Sequence, residues 1–319
     1  MKVIFGLGWI KKRFKRPIVA LGVFDGVHVG HQFLLNQVVS RAKKVKGTSI
    51  VLTFYPHPSH VLNPDRELPF LISLDERLRL FANLGIRVCV VVKFSKAFSK
   101  IKAEDFIRNY LIAKLHPQEI CVGKDFVFGS DRKGTVKLLK WDGVRYGFKV
   151  NAISIRRKSG KVVSSTLIRN LVKKGKLLEV NRLLSRPVSV VGRVIRGAQK
   201  GKLLGFPTAN IKHYKGILPP EGVYAVHVIW NRKDYLGMAF IGKRPAFITS
   251  DRSQTLEVNI FNFNKDIHGQ AIGVEFLTKI REPKRFNNIN NLGRQLKKDY
   301  QTIKKSIKFL TRRLTIPRH

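Results

Sequence analysis

From Ile18 to about residue 185, short apolar runs alternate with segments whose apolar residues recur at helical spacing. Ile18-Val19-Ala20-Leu21 reads as a buried strand. His31 to Lys46 reads as a helix with Leu34, Leu35, Val38, Val39, Ala42 and Val45 on one face. Ser49 to Phe54 is a second strand. Ser73-Leu74-Asp75-Glu76 has the spacing of a capping box and opens a helix to about Leu84. Val88 to Val92, then Ala103 to Leu115, then Glu119 to Val122 continue the series as strand, helix and strand. This alternation predicts a parallel sheet wrapped by helices, and such sheets hold ligands beyond the carboxyl ends of their strands.

After Ser185-Arg186-Pro187 the pattern changes. Ser189 to Arg196, Val223 to Trp230, Tyr235 to Ile241, Thr255 to Phe263 and Ala271 to Ile280 are strand-like, with Gly, Pro, Asn or Asp between most of them. Successive short strands of this kind predict a small antiparallel barrel. Asn288 to Leu310 reads as one or two closing helices. The expected division is therefore residues 1–185 and 186–319.

Composition narrows the class. A chain of 319 residues with 44% hydrophobic residues can bury a core in each half, which excludes wholesale disorder. The two cysteines, Cys89 and Cys121, lie in apolar runs and read as buried reduced thiols, excluding a disulfide framework. No apolar stretch approaches the about 18–20 residues of a membrane span. The amino terminus runs into Lys11-Lys12-Arg13-Phe14-Lys15-Arg16 before a signal-type apolar core develops, so a soluble, cytoplasmic protein with no membrane partner is expected. The net charge of +42 suggests a polyanionic partner. It is spread through the chain, with 36 basic and 12 acidic residues up to Ser185 and 26 and 8 beyond, rather than gathered in one tail.

The chemistry concentrates in three places. At the end of the first strand, Gly22-Val23-Phe24-Asp25-Gly26-Val27-His28-Val29-Gly30-His31 leads straight into the first long helix. Gly22, Gly26 and Gly30 let the backbone approach a ligand, the helix start offers unpaired N–H groups, and His28 and His31 can reach an anion held there. Ser164-Ser165-Thr166-Leu167-Ile168-Arg169 stands at another helix start, where three hydroxyls and a guanidinium suit phosphate oxygens or a simple cap. In the second half, Gly197-Ala198-Gln199-Lys200-Gly201-Lys202-Leu203-Leu204-Gly205-Phe206-Pro207-Thr208-Ala209-Asn210 reads as a loop with phosphate bias, though it is no Walker A sequence. Downstream, Leu256-Glu257-Val258-Asn259-Ile260 sets one carboxylate on an otherwise apolar and neutral strand.

Taken in order, these stretches, with Thr53-Phe54-Tyr55-Pro56-His57-Pro58 and Gly123-Lys124-Asp125-Phe126-Val127-Phe128-Gly129, resemble the prokaryotic bifunctional riboflavin kinase/FMN adenylyltransferase (FAD synthetase) family. The resemblance implies a Rossmann-like nucleotidyltransferase domain followed by a flavokinase barrel with a C-terminal helix. It implies phosphorylation of riboflavin to FMN, then adenylyl transfer from ATP to FMN giving FAD and pyrophosphate, with Mg²⁺ accompanying ATP. It implies catalytic roles for His28, His31, Arg169 and Glu257, the last as base for the ribityl 5′-hydroxyl. Phosphate contacts are implied for Gly22, Phe24, Asp25, Gly26, Gly30, Ser164, Ser165, Thr166, Gly197, Gly201 and Gly205. Flavin contacts are implied for Pro56, His57, Pro58, Asp125, Phe128, Arg281 and Phe286, and Mg²⁺ contacts for Thr208 and Asn210. The chain departs from the family pattern at Phe240, Ala246 and His268. The alternative kept beside this reading is an RNA-associated protein on the same scaffold, motivated by the charge.

Overall fold

The computed structural model describes all residues except 11–12, 66–67, 155–156, 159–160, 197–204, 214–215, 244–253 and 314–319. The chain divides into two compact units, Met1–Pro69 with Leu74–Ser164, and Phe70–Ser73 with Ser165–His319.

The first unit is built on a six-stranded sheet. In chain order its elements are β1 (Lys2–Phe5), β2 (Pro17–Leu21), α1 (Val29–Lys44), β3 (Thr48–Tyr55), α2 (Pro58–Leu62), α3 (Leu74–Asn83), β4 (Val88–Lys93), α4 (Lys96–Ser99), α5 (Ala103–Phe106), β5 (Glu119–Gly123), β6 (Val127–Phe128), β7 (Gly134–Thr135), α6 (Val136–Tyr146) and β8 (Lys149–Ile153), then a hairpin of β9 (Arg157–Lys158) and β10 (Lys161–Val162). The sheet order is β1-β4-β3-β2-β5-β8, and every pair in it is parallel. Because helices cover both faces, its central strands are apolar throughout: all five residues of β2 and the first five of β4 are buried. The chain moves from β2 outward through β3 to β4, then returns to lay β5 on the other side of β2. That reversal makes the carboxyl edge of β2 the switch point where such sheets open a crevice.

Three features depart from the sequence expectation. The amino terminus contributes edge strand β1, in register with β4 from Lys2 opposite Val88. The helix expected over Ala103 to Leu115 starts as α5 but continues as a π-helix over Ile107–Leu115. Its buried Ile107, Leu111 and Leu115 lie four apart, and the wider turn sets that spacing on one face against the core. Beyond β5, the chain forms the β6–β7 hairpin, α6 and β8, elements that the apolar pattern did not announce.

The second unit begins with α7 (Ser165–Lys173) and α8 (Leu177–Leu184) and continues with β11 (Val188–Ile195), β12 (Ala209–His213), β13 (Gly222–Trp230), β14 (Lys233–Lys243), β15 (Gln254–Ile260), β16 (Ala271–Arg281) and α9 (Ile289–Arg313). The strands close into an antiparallel barrel in the order β11-β12-β15-β14-β13-β16. Strand β11 alternates as a barrel strand should, burying Val188, Val190 and Val194. Strand β13 does not alternate, because Val223 and Ala225 on its outer side pack in one cluster with Ile303 of α9. The contact division falls before α7, ahead of the expected boundary at residue 185. Helix α8 packs on β11 and β16, and buried Asn181 bridges the Phe276 carbonyl at 3.3 Å and the Val188 N–H at 3.0 Å. The stretch read as a loop through Asn210 ends instead in β12, which pairs with β11 and β15.

Candidate active sites

In the first unit the expected site residues leave the carboxyl ends of three adjacent strands. Gly22–His31 follows β2, Pro56–Pro58 follows β3, and Asp125–Phe128 follows β5. The parallel sheet therefore gathers them at one edge, around the switch point.

The turn after β2 is held by packing as much as by glycine. Gly26 takes a left-handed φ of +84°, but so do Phe24 at 55° and Val27 at 39°. Such backbone at non-glycine residues persists only where surroundings enforce it. Here the Phe24 ring lies edge-on to Phe81 of α3 at 5.8 Å and to His31 at 5.3 Å, and a side chain on Gly22 would come within 2.9 Å of that ring. Phe24, implied as a phosphate contact, is thus buried as a brace beneath the turn. Asp25 is also buried.

His28 is the N-cap of α1. Its Nδ1 accepts from the His31 backbone N–H at 3.3 Å, which fixes the proton on Nε2. The two imidazoles stack with centroids 3.6 Å apart. His31 Nδ1 is sealed from solvent and has no hydrogen-bond partner. Burial, then the neighbouring His28 and Arg77, hold the His31 imidazole well below its ordinary pKa of 6.5, so it is neutral at pH 7. Arg77 of α3 is a residue that sequence reasoning missed. It is 4% exposed, donates from Nη1 to the Val23 carbonyl, and lies 3.4 Å from Thr53 Oγ1.

The other two loops are less uniform. His57 caps α2, its Nδ1 accepting from the Ser59 N–H at 3.1 Å. Pro56 and Pro58 flank it, Pro58 opening the helix. Asp125 is exposed, and Phe128 stacks on Phe126 at 5.6 Å. The division into units runs through Ser164–Arg169. Ser164 ends the first unit, while Ser165 opens α7, Thr166 is exposed on it and Arg169 is buried in it.

In the second unit four of the expected residues, Thr208, Glu257, Arg281 and Phe286, line one cavity of about 260 Å³. Its apolar wall is Phe206, Val223, Met238, Phe240, Leu292 and Leu296, and Thr208, Glu257, Asn259, Arg281, Lys284 and Phe286 also line it. Strand β15 buries Leu256, Val258 and Ile260 on one face, which turns Glu257 to the other. Asn210 stands directly opposite Glu257 in the β12–β15 register, so the two share a face. Asn259, two residues along, donates to the Pro207 carbonyl at 2.7 Å and anchors the approach to Thr208. Gly205 turns with φ +76°, whereas Gly197 and Gly201 lie outside the described residues.

Arg281 is engaged by the closing helix. Its Nε lies 2.9 Å and its Nη2 2.8 Å from Oδ2 of buried Asp299, to which Gln295 also donates. Its guanidinium lies 5.9 Å from the Phe286 ring centroid. Of the positions that depart from the family pattern, Phe240 lines the cavity, His268 is exposed in a turn, and Ala246 lies outside the described residues. Both cysteines are buried and free, their thiols pushed up to about 12 by burial. No group of three or more His, Cys, Asp or Glu able to hold a metal occurs among the described residues.

Two family models match the chain, one described as FAD synthetase over residues 10–167 and one described as riboflavin kinase over residues 184–307. The bifunctional riboflavin kinase/FMN adenylyltransferase of Buchnera aphidicola subsp. Schizaphis graminum is 38% identical, with 96% of this chain and 98% of that protein covered. The Bacillus subtilis protein of the same description is 37% identical, covering 92% and 93%. The Escherichia coli K12 protein is 34% identical, covering 89% and 91%. A crystal structure described as a macrolide-efflux protein from Streptococcus pneumoniae is 31% identical and superposes with a TM-score of 0.85 over 95% of this chain and 99% of that one. None of these similarities supports the nucleic-acid alternative.

Proposed function

Since the chain belongs to the bifunctional riboflavin kinase/FMN adenylyltransferase family and makes FAD from riboflavin by way of FMN, we propose how its residues divide that work. Residues 1–185 carry adenylyl transfer and residues 186–319 carry phosphorylation. The observation that carries the reading is the barrel cavity, which Thr208 and Glu257 both line, Glu257 being its one carboxylate among the described residues and standing directly across from Asn210.

In the kinase site the apolar wall takes the flat isoalloxazine, with Phe286 and Arg281 on the flavin side. Glu257 accepts the proton of the ribityl 5′-hydroxyl as that oxygen bonds to the γ-phosphorus of ATP and the bond to ADP breaks. Thr208 and Asn210 offer neutral oxygens, the hard donors that Mg²⁺ accepts alongside water and phosphate, so this pair fits the ion that accompanies ATP. When bound, Mg²⁺ supplies positive charge to the β- and γ-phosphates. Gly205 gives the backbone close approach to those phosphates, and the family resemblance assigns Gly197 and Gly201, outside the described residues, to the same phosphates.

In the sheet unit the FMN phosphate attacks the α-phosphorus of a second ATP, and the bond to the β-phosphate breaks to release pyrophosphate. Here Gly22, Gly26, Gly30 and the start of α1 form the anion cradle, with His28 donating from Nε2 and His31 beside it. From the family resemblance we carry over Arg169 and the hydroxyls of Ser164, Ser165 and Thr166 as further polyphosphate donors, and Pro56, His57, Pro58, Asp125 and Phe128 as serving the flavin. Among the described residues no helix is long and apolar enough to cross a membrane, and we infer that the enzyme works in the cytoplasm, where ATP is abundant.

The test assays the full chain and Asn210→Ala with riboflavin, ATP and Mg²⁺, and separately with FMN and ATP, separating the flavins by chromatography. The variant is expected to lose FMN formation and retain FAD formation from FMN. Parent-level FMN formation by the variant, or by the parent with Mg²⁺ chelated, would remove this assignment.

A further inference from the structure

We propose that Arg77 is a positioning residue for adenylyl transfer, its buried guanidinium tying the turn Gly22–Gly26 to strand β3 and helix α3. The inference rests on the reading of Gly22–His31 as the phosphate cradle.

A charged group almost removed from water needs compensation from its surroundings. Arg77 finds it in the cradle itself. Nη1 donates to the Val23 carbonyl and reaches Thr53 Oγ1 at 3.4 Å, and the Thr53 hydroxyl donates to the same carbonyl at 3.0 Å. The carboxylate of Asp25, two residues beyond Val23, attracts the guanidinium electrostatically. Nε is buried with no hydrogen-bond partner. An unpaired buried donor is costly and calls for an explanation, which a role in setting the turn supplies. One turn later on α3, Phe81 supports Phe24, whose other edge faces His31. Helix α3 therefore sets both the backbone of the turn and the ring that contacts His31.

The same placement puts a permanent cation near His31. The charged or titratable groups around the pair are His28 beside His31, and Asp25, Tyr55 of β3 and Cys89 of β4 around Arg77. Arg77 opposes protonation of His31 after burial and His28 have done so. Together they keep positive field at the cradle while His31 remains neutral until a polyphosphate brings negative charge.

The test uses the full chain with Arg77→Met, Arg77→Lys and Thr53→Val, measuring FAD formation from FMN, FMN formation from riboflavin, and His31 titration by NMR. A turn misplaced by about 1 Å costs about a hundredfold. Arg77→Met is expected to lose about that much kcat in FAD formation, with riboflavin phosphorylation unchanged and the His31 titration moved to higher pH. Arg77→Lys keeps the charge but not the fork, so its kcat should fall while His31 titrates as in the parent. Thr53→Val should lower kcat by a smaller factor. FAD formation within twofold of the parent in Arg77→Met overturns the inference. If that variant does not fold, parent-level FAD formation in both Arg77→Lys and Thr53→Val overturns it instead. His31→Ala run in parallel separates the premises: full FAD formation there defeats the cradle reading, whereas its loss beside a parent-like Arg77→Met defeats only the role of Arg77.

Discussion

The sheet unit and the barrel unit both move phosphorus between oxygens, yet they present different groups to do it. At the sheet edge the groups around the cradle are backbone amides at the start of α1 and two stacked imidazoles, one of them held neutral. In the barrel, among the described residues, a single carboxylate lines the cavity from a strand whose other face is buried. The attacking groups explain the difference. An FMN phosphate is already an anion and needs its electrophile stabilised, whereas a ribityl hydroxyl must shed a proton as it attacks. Donors suffice in the first case, and a base is required in the second.

The sharpest way to break this comparison is Glu257→Gln, which keeps size and removes the proposed base. Loss of a general base costs about 10²–10⁴-fold, so riboflavin phosphorylation should nearly vanish. FAD formation from FMN should continue at the parent rate in the same preparation. Equal loss of both activities in a folded variant would mean that the two sites are not independent.

The reciprocal change is His31→Ala. Removing one preorganised donor costs about 10²–10³-fold in kcat, here in FAD formation alone, with FMN still accumulating from riboflavin. His28→Ala should match it in rate and also lower stability by about 1 kcal/mol, because His28 caps α1. Thermal unfolding of the two variants distinguishes the cap from the donor.

A third change addresses how the barrel closes over its flavin side. Asp299→Asn leaves Arg281 with a neutral partner where both are largely buried. Breaking such a pair costs about 3 kcal/mol. Urea unfolding should show that loss in the barrel transition, with a raised KM for riboflavin and unaltered FAD formation from FMN. An unchanged midpoint would show that α9 is held by its apolar face alone.

The smallest expected effect is on pH. The His31 pKa is lowered by folding from 6.5, so below that value the unfolded chain takes up a proton that the folded chain refuses. Stability is then fully present above pH 6.5 and falls as pH drops toward the folded pKa, by up to about 1.4 kcal/mol per pH unit. His31→Gln should flatten this slope in the sheet unit. An identical slope in parent and variant would show that His31 is not the group responsible.

Much of this was readable along the chain. Parallel strands buried on both faces announce themselves as apolar runs such as Val88-Cys89-Val90-Val91-Val92, and helix α1 by its apolar stripe. The histidines, the Ser-Ser-Thr-x-x-Arg stretch and the Pro-Thr-Ala-Asn sequence are local patterns, so order and spacing suffice to find them. Glu257 was visible as the odd charge in a neutral strand.

The contributions of Arg77, Asp299 and Asn259 were not readable, because each acts through a partner distant in sequence. Arg77 meets a carbonyl 54 residues away, Asn259 one 52 residues away, and Asp299 an arginine 18 residues back. On their own helices and strand they look like ordinary polar positions. Strand β12 was hidden for a related reason: Ala209–His213 is only five residues long and follows a glycine-rich stretch, and its extended form comes from pairing with β11 and β15. Sequence alone determined which local elements and phosphate-seeking groups exist, since periodicity and residue chemistry are properties of neighbours. Only tertiary structure decided that Phe24 packs between Phe81 and His31, that His28 caps α1 and orients its own tautomer, and that a buried arginine holds the turn after β2, since those depend on which surfaces the fold presses together.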